Sequence, residues 1–88
     1  MAASNRTGSG YNWTHVADGA TGADFGWTAR RLIVNGAGDL YLRKPGETSS
    51  SNAAGTLFMT GVTAGQVFDV QCDGIGTSTT CTLITAQQ

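Results

Sequence analysis

Charge is scarce in this chain: Lys, Arg, Asp and Glu make up 12 % of its 88 residues, about half the usual share. So thin a charge cover does little to keep copies apart. It suits packing in an assembly, or binding of neutral polar ligands. Five basic residues are too few for a nucleic-acid footprint, because phosphate affinity grows with the number of cationic contacts. One histidine and two cysteines leave zinc short of its four ligands, and no Cys-x-x-Cys spacing occurs. A mechanism that needs two histidines is excluded. The serines fall in tails and loops, which offer no rigidly held nucleophile. No catalytic residue, metal or cofactor is therefore expected. Asp18 and Asp24 bracket a Gly-rich turn, but two carboxylates fall short of the oxygens that calcium needs. Gly36-Ala37-Gly38 and Gly74-Ile75-Gly76 precede no helical pattern and lack a following Lys-Ser or Lys-Thr, so they are not phosphate loops.

Long apolar runs are missing too. The longest aliphatic stretch is Leu32-Ile33-Val34, far short of a bilayer span, so no membrane partner is expected. Met1 to Gly10 shows no charged start followed by an apolar core, and the chain is expected to be made and kept in a cytoplasm. These ten small, polar residues read as a flexible or strap-like arm, and residues 11–88 as a single β domain. A domain this small has a modest stability margin without a disulfide, a metal or neighbouring subunits.

No helical stripe or heptad is present, whereas strand patterns recur. The most organised stretch is Arg30 to Lys44. Two β-prone runs flank Asn35-Gly36-Ala37-Gly38-Asp39, a link whose composition predicts a hairpin. Pairing about Ala37 would set Leu32 opposite Leu42 and Val34 opposite Leu40 on an aliphatic face. Ile33 with Tyr41 and Arg31 with Arg43 would fall on the other face. Two like charges directly opposite each other call for something acidic over them, so Arg30, Arg31, Tyr41, Arg43 and Lys44 are the expected assembly face.

Tyr11 to Val16 alternates as a short strand. Asp18 to Asp24 is turn-rich, and the strand ending at Val34 is expected to begin as early as Trp27. Pro45-Gly46 ends the next strand, and Glu47 to Gly55 reads as a flexible polar loop. Thr56 to Thr60 is a compact apolar strand, followed by a turn over Gly61 to Gly65. In Gln66 to Cys72, Phe68, Val70 and Cys72 alternate inward against Val67, Asp69 and Gln71. A hairpin loop over Asp73 to Ser78 would then lead into a strand over Thr79 to Thr85. Setting Cys72 opposite Cys81 would also put Val70 opposite Leu83 on one buried face. Cys72 and Cys81 are then either two buried thiols or a disulfide. The expected fold is all-β: a small antiparallel β-sandwich or flattened barrel of five to six strands, with an extended N-terminal arm.

Tyr11, Trp13 and Trp27 carry an ambiguity. Aromatics on a β surface can stack on sugar rings, while a core this small also needs large apolar side chains. All five basic residues lie before residue 45, and only Glu47, Asp69 and Asp73 are charged after it, which gives head-to-tail contact between copies an electrostatic basis.

The stretches Arg31 to Leu42, Thr63 to Val70 and Thr79 to Ala86 resemble the small all-β structural proteins of tailed-bacteriophage virions. These often show an apolar strand, an Asn-Gly turn, an aspartate-led aromatic strand, and an Ala-Gly turn into another strand. The resemblance implies a non-enzymatic virion component, made in the host cytoplasm. Its first form is a capsid decoration or cement protein that binds the particle as a homo-oligomer, a trimer by analogy, with major capsid or tail proteins as partners. Alternatives are a tail or head-fibre attachment protein, or a small carbohydrate-binding module using Tyr11, Trp13 and Trp27.

Overall fold

In the computed structural model, which describes residues 12–88, eight strands form two antiparallel four-stranded sheets that do not close into a barrel. The expected arm over residues 1–10, and Tyr11, lie outside the described residues. The strands are β1 (Trp13–Asp18), β2 (Ala23–Ala29), β3 (Arg31–Gly36), β4 (Gly38–Arg43), β5 (Thr56–Val62), β6 (Gln66–Phe68), β7 (Cys72–Ile75) and β8 (Thr82–Gln87). Sheet A has the order β1-β8-β3-β6 and sheet B the order β2-β7-β4-β5.

The expected hairpin about Ala37 does not form. Strand β3 pairs with β8 and β6, while β4 pairs with β5 and β7. Ala37 alone separates β3 from β4, and the chain crosses there from one sheet to the other. Glycine is required at this crossing because a Cβ on Gly36 would run into Thr82, and one on Gly38 into Thr80. Leu32, Val34, Leu40 and Leu42 are all buried as their alternation demands. They meet across the sandwich rather than side by side. The pattern of burial is local, but the choice of sheet is not.

The chain crosses between sheets at every connection except β4 to β5. One core results, with Val16, Leu32, Val34, Ile84 and Ala86 from sheet A facing Ala29, Leu40, Leu42, Val62, Cys72 and Ile75 from sheet B. Phe68, Val70 and Cys72 turn inward as expected, and Val67, Asp69 and Gln71 are exposed. The Cys72–Cys81 hairpin is absent because β7 and β8 belong to different sheets. Both cysteines are buried, free thiols. Ile84, not Leu83, takes the inward position of the last strand. Leu83 adopts φ 53° and turns out to solvent, a conformation that side chains other than glycine enter at a cost of about 1 kcal/mol.

Two strands exceed the sequence expectation. Ala23–Ala29 is a bulged edge strand, entered through a single 3-10 turn at Gly19–Thr21 that Asp18 caps through the Ala20 N–H. Cys72–Ile75 occupies much of what reads as a loop. After β4, Pro45 and Gly46 (φ 90°) make the turn closed by Glu47 N–H to Lys44 C=O at 2.9 Å, as a type II turn with Pro then Gly should.

Candidate interaction surface

Sheet A has one face on the core, so its alternate residues form an outer face whose rows are fixed by register. Trp13 lies beside Gln87, and Gln87 beside Arg31. Arg31 Nε reaches Asp69 Oδ1 at 3.2 Å, both side chains being largely solvated. The neighbouring row runs His15, Thr85, Ile33, Val67, with His15 Nδ1 and Thr85 Oγ1 3.2 Å apart. Trp13 is 66 % exposed and Val67 54 %. Leu83 projects from β8, one of the two inner strands of the same sheet.

The second feature is the side of the sandwich where edge strands β5 and β6 meet. Phe58 and Phe68 close it, edge to face, with ring centres 5.4 Å apart. Leu57 and Met59 stay exposed. A shallow groove of about 220 Å³ opens beside them, floored by Leu42, Phe58 and Val70 and rimmed by Lys44 and Gln71. Strand β5, Thr-Leu-Phe-Met-Thr-Gly-Val, carries no charge and no proline, two of the devices that stop an edge strand from recruiting another, although its register against β4 shifts twice, between Gly38 and Leu40 and between Leu40 and Tyr41.

The expected assembly residues are divided by the fold. Arg31 stands on the outer face of sheet A, and Arg30 is exposed at the bend before it. Tyr41 is half-buried on sheet B, where the Thr79 hydroxyl accepts from its N–H at 3.0 Å and donates to its C=O at 2.9 Å. Lys44 is exposed at the groove. Arg43 is not a surface residue: only 2 % of it is accessible. Its Nε donates to Asn52 O at 3.1 Å, Nη1 to Ala23 O at 3.0 Å and Asp24 Oδ1 at 2.9 Å, and Nη2 to Ala53 O at 2.8 Å. An arginine in the interior is stable only when so fully bonded. The 47–55 loop, expected to be flexible, is tied down by this guanidinium and by Ser49 N–H on both Asp24 oxygens at 3.0 and 3.1 Å. Hydrogen bonding from Ser49 is the main reason the Asp24 carboxyl sits below its ordinary value, with Arg43 adding to it. Glu47 is lowered likewise, by the Lys44 N–H and the Asn52 amide.

The aromatic trio is divided as well. Trp27 stacks on Phe25 at 5.3 Å and packs against the core from β2, while Trp13 stands outside on β1 and Tyr11 lies outside the described residues. Burial pushes the Cys72 thiol up to about 12 and raises Cys81, so neither is a reactive thiolate at neutral pH. Among the described residues no three His, Cys, Asp or Glu side chains gather as a metal site, and no helix is long and apolar enough to cross a membrane. Sequence reasoning missed the Arg43 interior site because its partners lie on a distant strand and a loop. It also missed the uncharged β5 edge, although the absence of any charge between Thr56 and Val62 was legible. No family model matches the chain, nor does any curated protein or solved structure.

Proposed function

We propose that this chain is a non-enzymatic structural protein of a tailed-bacteriophage virion, a decoration or cement protein that binds the capsid surface as a homo-oligomer. The observation that carries the reading is the β5–β6 side, which none of the described residues covers. A seven-residue edge strand without a charge, bulged against β4 and with its Gly61 N–H held by Asp39 Oδ1, has an outer side on which another strand can pair. Exposed Leu57 and Met59 lie on it, so pairing there would also bury apolar surface. Low charge overall removes the electrostatic penalty of packing many copies at high density. Copies pair through this side, and the outer face of sheet A remains available for other contacts. The test is mass measurement in solution together with mass spectrometry of gradient-purified particles from a phage that carries the gene. Oligomers in solution and stoichiometric recovery with particles are expected. A clean monomer absent from particles would overturn the proposal.

A further inference from the structure

We infer that the Trp13 end of the outer face of sheet A is a binding site for a neutral oligosaccharide, laid across the strands from Trp13 over Gln87 toward Arg31 and Asp69. The inference does not depend on assembly, because it uses a different face from the β5–β6 side.

The first ground is the indole. Val16 and half-buried Thr14 occupy the core-facing phase of β1, so Trp13 points away from the core and keeps two-thirds of its surface in water. The chain has one other Trp, and it is spent on the core. A flat aromatic held open on a rigid strand provides a stacking platform for the C–H face of a pyranose.

The second ground is what lies beside it. Strands are about 4.8 Å apart, so the register places Gln87 roughly 5 Å and Arg31 roughly 10 Å from Trp13 along the row. That is about the reach of two linked pyranose rings. The row offers an amide that both donates and accepts, then a guanidinium with a carboxylate 3.2 Å from it. Vicinal hydroxyls need this alternation of donors and acceptors. Thr85 and His15 stand in the adjoining row, within reach of a ring seated on Trp13.

The third ground selects the occupant. Arg31 and Asp69 offset each other. That leaves exposed Arg30, whose backbone N–H donates to Gln87 O at 2.8 Å, as a single charge at the end of the row, too little to select an anion, and Asp69 repels one. A second copy or an apolar peptide would strip water from Gln87, Thr85, Arg31 and Asp69 and return few hydrogen bonds, which is unfavourable. A polyol replaces those bonds while its apolar face covers the indole. Because the face is open and flat, each site should bind weakly, with a Kd in the millimolar range, and gain strength only by repetition in an oligomer.

The experiment is an amide NMR titration of the intact protein with maltotriose, cellotriose, chitotriose and, as an anionic control, sulfated dextran, alongside Trp fluorescence. At least one neutral trisaccharide at about 20 mM should shift the amides of residues 13, 15, 31, 85 and 87. Trp13→Ala should weaken that binding at least about tenfold and Arg31→Ala several-fold, while Trp27→Phe leaves it unchanged. Trp13 is exposed, so the variant folds, and its unshifted core amides verify this. The inference is overturned if no neutral probe shifts these amides, if binding survives Trp13→Ala, or if only sulfated dextran binds.

Discussion

Replacing Arg43 with Met keeps an apolar stem in the same place and deletes every donor of the interior guanidinium. The guanidinium's bonds to the carbonyls of Ala23, Asn52 and Ala53, at 2.8 to 3.1 Å, would be lost, although Asn52 O keeps the Gly55 N–H and Ala53 O the Thr77 N–H. Each hydrogen bond contributes about 1 kcal/mol net, so the three together come to roughly 3 kcal/mol. The contact with Asp24 is left out of that sum because its carboxylate is solvent-accessible and screened. A chain of this size has about 4 to 13 kcal/mol of stability in all. At about 4 to 8 °C per kcal/mol for so small a domain, Arg43→Met should melt about 15 °C below the parent protein. Arg43→Lys should recover part of this, since one ammonium cannot span three carbonyls fixed on a strand and a loop. Thermal melts followed by circular dichroism give the global term. Hydrogen exchange at residues 48–55 gives the local one, and it should rise first there. If Arg43→Met melts within about 3 °C of the parent, the interior bonds contribute nothing net and the reasoning fails.

Leu83→Gly should raise the melting temperature by about 4 to 8 °C, because it relieves about 1 kcal/mol of left-handed backbone strain at an exposed position; an unchanged or lower value would count against it. Asp24 and Glu47 have carboxyls lowered from ordinary values of 3.8 and 4.5. Their contribution is therefore complete above those values and lost as pH falls through the lower folded ones. Denaturant titrations from pH 6 to pH 2 should show a decline below about pH 4 that is shallower in Asp24→Asn. With Cys72 raised to about 12 and Cys81 also raised, iodoacetamide at pH 8 should label neither thiol in the native protein and both in urea, as read by intact mass.

The inward alternation of β3, β4 and β6 was legible because each side chain reports its own burial. What could not be read was partnership. Asn35 to Asp39 has the composition of a hairpin, yet Gly36 remains in β3 beneath Thr82, leaving one residue for the connection. That is too short to reverse the chain within a sheet. The Cys72–Cys81 alignment failed because β7 and β8 lie in different sheets, and Leu83 is not inward because a left-handed residue there turns out a side chain that strict alternation would bury. Of the candidate site, Trp13 was found from its place in an alternating run. Gln87 and Asp69 were not, since only the pairing of β8 and β6 brings them into its row. Arg43 looked like a surface charge because nothing near it in sequence announces a pocket of carbonyls.

Strand β8 supplies the middle of sheet A, holding β1 on one flank and β3 on the other. During synthesis those two must wait, since nothing else in the described chain joins them until Thr82 to Gln87 leave the ribosome. A polypeptide released before that point can complete sheet B and pair β3 with β6, but it leaves β1 and one edge of β3 without their neighbour. Products that stop before Thr82 should therefore expose those strand edges and go to proteases.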